Sequence, residues 1–270
     1  MNAPLLGQML KVHSRAFSNY AFGSAFYILL MFWLYPGIAK NSEALNDLVA
    51  AFPEGVAQAF GFQGGFGSME AFISGEYYGL LLPLILSIFT VMLSTQLMAR
   101  LVDQGSMAYL LTTPTTRAKV AASQALVLVS GLLLIMAVTT AAGFAGHAWF
   151  IGDRYPFDAS RFVRMNAVAW TLFVAVGGLS FLFSAVSNDE KRALGLSGTV
   201  VFGMYGLDLV GKIGGSVEWL RYVSAFALYR PSELASGQGH AALSAAILLL
   251  IGLAGFAAGI LLFRRRDLPL

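Results

Sequence analysis

DQGSMAYLLTTPTTRAK, residues 103–119, is a short hydrophilic bridge between two long apolar runs, and its reading decides what kind of chain this is. Gly105 and Ser106 open a run, Met107-Ala108-Tyr109-Leu110-Leu111, that Pro114 closes, because the residue before a proline is pushed out of the α region. That spacing predicts a helix of about two turns. Thr115 or Thr116 then N-caps the next long helix by accepting from a free backbone N–H, while Arg117 and Lys119 stand at a membrane border. A two-turn helix is marginal by itself. With apolar residues at its centre and polar ends, it suits docking into a groove on another protein; the alternative is a turn lying in the lipid headgroups.

Composition agrees with a membrane border on either side of the bridge. Hydrophobic residues make up 57% of the chain and charged residues only 11%, against about a quarter charged in soluble domains. This is the composition of an all-α integral membrane protein. The absence of cysteine excludes a disulfide framework and a thiolate metal site. The net charge of +3 does not point to nucleic acid, because the basic residues sit at the ends of apolar runs, where they set membrane orientation.

Outward from the bridge, residues 77–99 form the second apolar span, with Pro83 near its outer end, and Val120–Gly152 the third. The third is longer than the roughly 20 residues a crossing needs, so it tilts or projects. At the start of the chain, residues 1–15 carry Leu5, Leu6, Met9 and Leu10 between polar residues and read as an amphipathic surface helix. Residues 16–39 are free of charge and make the first span, with Pro36-Gly37 as its stop. A cleaved signal peptide is the competing reading, but the run is long and ends without an A-x-A-like site. Residues 40–76 read as an external, membrane-hugging loop, acidic at Glu43, Asp47, Glu54, Glu70 and Glu76 and aromatic at Phe52, Phe60, Phe62, Phe66 and Phe72.

Beyond the third span, Asp153 to Arg164 reads as an external connection and residues 165–188 as the fourth span. Asp189-Glu190-Lys191-Arg192 makes a second, tight turn on the inner side. The fifth span begins at Ala193 and contains Asp208, a carboxylate that would cost about 2.5–3.5 kcal/mol at mid-membrane. Pairing with Lys212 at i, i+4 near the outer interface removes most of that cost. Residues 212–240 then form an external interfacial or re-entrant segment, in which Trp219, Tyr222, Val223 and Phe226 fall at helical spacing. The sixth span runs from Ala241 to Phe263 and ends on Arg264-Arg265-Arg266.

Counting charge orients the six spans. With both termini cytosolic, ten of the seventeen Lys and Arg residues lie inside but only four of the fourteen acidic ones. The bridge between spans 2 and 3 is then cytosolic, as is the turn at 189–192.

The order of elements resembles the membrane subunits of ABC exporters of the type-2 permease class. The resemblance covers nearly the whole chain: an amphipathic start, a long first external loop containing Phe52-Pro53-Glu54-Gly55, and the bridge Asp103-Gln104-Gly105-Ser106, Leu110-Leu111, Pro114-Thr115-Thr116-Arg117. Phe183-Ser184-Ala185 before a charged turn and the short basic tail are also similar to the family. The resemblance implies that 1–270 is a single transmembrane permease domain and that 100–119 is its coupling segment, a short cytosolic helix that fits a cleft in a separate ATPase subunit. It implies coupling roles for Asp103, Gln104, Gly105, Ser106, Met107, Tyr109, Leu110, Leu111, Pro114 and Arg117, with Asp189, Glu190, Lys191 and Arg192 as a second cytosolic turn. Ser106 replaces the family's threonine, and its acidic pair is reduced to Asp103 beside Gln104. ATP and Mg would be bound by the partner ATPase, leaving this chain with no cofactor and no enzymatic activity of its own. The implied setting is a bacterial cytoplasmic membrane, with a second permease copy or close relative alongside, membrane lipid around it and no nucleic acid. The substrate is not legible.

Three other readings compete. Gly206 to Lys212, GLDLVGK, is nearly a phosphate-binding loop, but Ile213 follows it where a magnesium-binding hydroxyl belongs, and it lies in a span rather than after a strand. Gly195-Leu196-Ser197-Gly198 resembles the motif of rhomboid intramembrane serine proteases, yet Ser197 is near the inner border while His147 and His240 lie at outer ends. An ion-gradient-driven secondary transporter would use Asp208 as its relay.

Overall fold

The computed structural model describes residues 2–59, 61, 64–112 and 115–267. Among these, no strand occurs and six helical stretches are long and apolar enough to cross a membrane. They are Ala3–Lys40, Met69–Asp103, Arg117–Arg154, Ala159–Val186, Glu190–Lys212 and Ala241–Arg265. An even number of crossings returns the chain to its starting side, so both termini lie at one end of the bundle, here the terminal end. The opposite end is the far end.

The first crossing is one unbroken helix, α1 (Ala3–Lys40), where a surface helix over 1–15 and a separate span over 16–39 were expected. At 38 residues it rises about 57 Å, nearly twice the roughly 30 Å of bilayer hydrocarbon. Leu5, Leu6, Met9 and Leu10 pack on the core of the bundle, so the amphipathic stripe covers protein. Asn2 caps α1 at Leu5 N–H (3.2 Å) and ties its start down, donating to Ser123 Oγ at 3.0 Å and Thr115 Oγ1 at 2.8 Å. The expected stop at Pro36-Gly37 is also passed. A proline this close to the end removes little of the helix's hydrogen bonding, and Tyr35, packed against Phe72 and Tyr155, holds the last turns in place.

The stretch 40–76, expected as a loop, folds into α2 (Ser42–Ala50), α3 (Glu54–Ala59) and α4 (Met69–Ile73). Phe66 and Phe72 are buried, Phe52 is exposed, and Phe60 and Phe62 lie outside the described residues. The second crossing therefore starts at Met69, well before residue 77. It passes through a π-helical stretch, Ser74–Leu81, into α5 (Leu82–Leu97), with Pro83 in the first turn. Pro83 has no N–H for a carbonyl of the preceding turn, and the wide turn takes up that missing bond.

After α5 come α6 (Ala99–Asp103), α7 (Ser106–Leu111) and α8 (Arg117–Gly146); Thr116 caps α8 through Lys119 N–H. α8 continues as a π turn, His147–Ile151. The next helix, α9 (Ala159–Val186), starts six residues ahead of the expected 165, because Asp158 caps it, accepting from Ser160 N–H at 2.9 Å and Arg161 N–H at 3.1 Å. Likewise α10 (Glu190–Lys212) begins at Glu190, capped by Asp189, so Glu190, Lys191 and Arg192 form its first turn rather than a free loop.

Residues 212–240, expected as an interfacial or re-entrant segment with Trp219, Tyr222, Val223 and Phe226 at helical spacing, are not one continuous helix. They make 3-10 turns at Gly215–Val223 and Ala225–Leu228, then α11 (Pro231–Ser236). Ser224 breaks the run: its backbone is extended, and its hydroxyl accepts Phe226 N–H at 3.1 Å while donating to Met204 O at 2.8 Å. Phe226 is thereby turned inward onto Tyr205, leaving Trp219, Tyr222 and Val223 exposed.

The last helix, α12 (Ala241–Arg265), makes its widest contact with α9. Glycines allow the approach. A Cβ on Gly252 would fall 2.6 Å from Val174 O, and one on Gly255 would fall 2.5 Å from Gly178 C. Such seams bring backbones close where burial of apolar surface from water offers no driving force.

Candidate coupling face at the terminal end of the bundle

The second crossing kinks before it leaves the bundle. Met98 departs from helical geometry at φ −126°, ψ −71°, and Ser184 of α9 fills the break, accepting Ala99 N–H at 3.0 Å and donating to Ser94 O at 2.8 Å. The bridge then turns at Gly105, whose φ of +70° is a left-handed conformation that favours glycine. α7 follows over Ser106–Leu111, the short helix the punctuation predicts.

α7 has two distinct sides. Met107 is fully buried, and Leu110 and Leu111 pack partly buried on the core. Tyr109 stands 80% exposed, with Gln104 and Gly105 also open and Ser106 half-buried. The bridge residues grouped by sequence thus divide: Met107 anchors the helix, and Tyr109, Gln104 and Gly105 form its outer face. Pro114 lies outside the described residues.

Asp103 joins this bridge to the second turn. Its Oδ2 accepts the backbone N–H of Glu190 at 3.2 Å, and the Glu190 carboxylate lies 3.8 Å from Arg100 Nε. Asp189 Oδ1 accepts Arg192 N–H at 2.6 Å. Bridge and second turn are therefore brought together, with the Lys191 and Arg192 side chains exposed beside them. Arg117, by contrast, is half-buried and turned to the C-terminal tail, donating to Arg266 O at 2.5 Å.

Three residues of this arrangement were not among the coupling residues named from sequence: Arg100, Ser184 and Arg266. Arg266 Nη1 donates to Ala185 O at 2.7 Å and Ser187 O at 3.0 Å, closing the carbonyl end of α9. Burial lowers the proton affinity of its guanidinium. Together these contacts lash α6, α8, α9, α10 and the C-terminal tail into one terminal-end assembly, from which the outer face of α7 protrudes.

The competing sites fare differently. The Ser197 hydroxyl is buried and donates to Ser180 O at 3.4 Å. Gly206–Lys212 is wound into α10, so its N–H groups serve the helix instead of cradling phosphate. Asp208 is buried between Lys212 Nζ at 2.8 Å and Arg221 Nε at 3.4 Å. The Lys212 pairing is the one expected; Arg221, from the following turn, is an addition that sequence spacing could not supply. Among the described residues, no three His, Asp or Glu side chains stand together as a metal-binding group.

No match to the chain was found among curated proteins. The profile of a family described as ABC-2 family transporter protein matches residues 23–268, which include five of the six crossings whole and the second half of α1. The resemblance carried by the bridge and by the order of the spans is thus a family relationship, and the chain belongs to the ABC-2 family of transporters, as a multi-pass permease that takes part in transport and is not itself catalytic.

Proposed function

We propose that the chain is the membrane-spanning half of an ATP-driven exporter and that α7 is its coupling helix, seated in a cleft of a separate cytosolic ATPase. The observation that carries this reading is the two-sidedness of α7: Met107 holds it to the bundle while Tyr109 projects. A contact that transmits force needs both. Asp103 supplies the connection onward, since a push on the bridge reaches the start of α10 through Glu190 as well as the second crossing.

In this reading both termini face the cytosol of a bacterial cell, and ATP and Mg sit in the partner. A second copy or close relative completes the path through the membrane. Gln104, Gly105, Ser106 and Tyr109 are the contact residues, with Leu110 and Leu111 at the edge of the seat. Asp103, Met107 and Arg117 hold the seat in shape. The first turn of α10 flanks the contact with charges of both signs, Lys191 and Arg192 exposed beside Asp189.

The test is copurification of the chain with the ATPase encoded beside it, with membrane insertion followed separately. Tyr109→Ala and Gly105→Pro should release the ATPase from stably inserted protein. Transport driven by a proton gradient alone, with no ATPase bound, would overturn the reading.

A further inference from the structure

The composition of residues 40–76 places Glu76 in an acidic external stretch, but the second crossing starts at Met69, so this carboxylate lies inside it, on the π-helical stretch. Glu76 is half-buried and makes no hydrogen bond or salt bridge among the described residues. The residues outside that set include no Lys, Arg or His. A carboxylate within a span is normally paired. No cation of this chain pairs with Glu76.

A cavity of about 250 Å³ lies beside it, between α1 and the second crossing. Tyr77, the next residue along, and Tyr27, on which the Glu76 charge acts through space, stand in its wall with their rings stacked 5.3 Å apart. Leu82, Ile85 and Leu86 make the other side apolar, and no Lys or Arg lines it among the described residues. Arg15, one turn before the lining residue Asn19 on α1, is exposed. Ser24, also in the wall, lies about 14 Å from Arg15 by helical rise, near the middle of a hydrocarbon core of roughly 30 Å. Ile85 is 43% exposed and a Cβ on Gly23 would meet nothing within 4 Å, so the cavity opens on the flank of the bundle.

The wall favours positive charge. Thr139 donates to Ile135 O at 2.8 Å, so the contact between Ser24 and Thr139 takes the Ser24 proton, and the contact between Tyr77 and Ser24 takes the Tyr77 proton. Neither of these wall hydroxyls has a donor left for an anion. Tyrosine faces and an unpaired carboxylate attract a cation instead. A metal ion takes about six or more oxygen ligands. Half of this wall is hydrocarbon, which suits a charge carried on an apolar body.

We propose that this cavity binds a lipophilic organic cation of the size of a benzyl quaternary ammonium, its charge on the Tyr27 ring close to Glu76 and its apolar part against Leu82, Ile85 and Leu86. That the cation is cargo rests on the exporter reading above; its binding needs no ATPase.

Equilibrium dialysis of the full chain in nanodiscs, with empty nanodiscs as the blank, tests this with benzyltrimethylammonium. Neopentylbenzene, its uncharged isostere, and benzenesulfonate serve as competitors and should not displace it. Glu76→Gln and Tyr27→Leu should each weaken binding about tenfold, the scale of a desolvated cation–π contact, while Tyr27→Phe keeps the ring and the affinity. Gly23→Leu, in open space, should block the cavity with the thermal midpoint of the ligand-free protein retained. A photoreactive benzyl ammonium should label α1 and the second crossing of the wild type, which keeps the test decisive even where a variant fails to fold. Displacement by neopentylbenzene would reduce the site to an apolar slot, and displacement by benzenesulfonate would reverse its charge preference. Either result, unchanged affinity in Glu76→Gln, or labelling confined to other helices overturns the proposal. Capture of the ATPase without cation binding overturns this proposal alone, and cation binding without capture overturns the exporter reading alone.

Discussion

The Asp103 carboxylate accepts the backbone N–H of Glu190 at 3.2 Å, linking the bridge after the second crossing to the first turn of the fifth across 87 positions of sequence. Asp103→Ala removes this link and should leave the protein inserted, with ATP hydrolysis by a bound ATPase continuing while transport falls. Asp103→Asn keeps an acceptor oxygen and should retain most of the transport. Parallel assays of ATPase rate and transport in proteoliposomes distinguish the two; equal loss in both variants would assign the effect to charge instead.

Met107 and Tyr109 lie two residues apart and should respond oppositely. Met107→Ala empties a fully buried site and should lower stability by about 2–5 kcal/mol. Tyr109→Ala, at an exposed position, should change stability by under about 0.5 kcal/mol yet weaken ATPase capture. Thermal unfolding in detergent alongside copurification measures both.

The α9–α12 seam should tolerate no side chain at Gly252, where a Cβ would come within 2.6 Å of Val174 O. Gly252→Leu should abolish the monodisperse peak in size-exclusion chromatography. Gly198→Ala, where nothing lies within 4 Å of the added carbon, should leave that peak intact.

Arg266 secures the carbonyl end of α9 through Ala185 O and Ser187 O. Arg266→Ala should cost roughly 1.5–3 kcal/mol, the range for hydrogen bonds to a charged group, and speed proteolysis of the 187–189 link. Arg264→Ala, two residues earlier and exposed, should do neither.

Asp158 gives a pH dependence of known sign. The hydrogen bond from Arg161 N–H, followed by hydrogen bonding to Ser160, holds its carboxyl below the usual carboxylate value. A depressed folded-state value contributes stability that is present above the unfolded value, about 3.9, and lost as pH falls through the lower, folded one. Thermal midpoints should therefore fall below about pH 4 in the wild type, and Asp158→Asn should flatten that part of the curve.

What could be read in the sequence was local or additive. Charge-free runs with Lys and Arg at their ends marked six crossings, because removing a charge from water costs the same wherever the chain later goes. Gly105 marked the start of α7, and i, i+4 spacing paired Asp208 with Lys212, since both are decided within a turn of backbone. The composition of residues 40–76 looked like loop because short helices and loops share acidic residues and glycine punctuation, so the exposed α2 and the buried α4 alike escaped notice. The amphipathic stripe of residues 1–15 was legible, but whether it covers lipid or protein was not.

Tertiary structure settled the pairings between distant segments. Met107 turned inward and Tyr109 outward only because the α6–α7 turn sets the azimuth of a helix too short to carry its own hydrophobic face. Arg221 joined Asp208, Ser184 filled the kink at Met98, and Arg266 closed α9 because packed crossings brought those groups within hydrogen-bond reach. A buried polar group must find a partner, and the sequence states that need at each position. Which partner meets it depends on the helix neighbours, and these are chosen by close backbone approach along seams such as Gly178, Gly252 and Gly255.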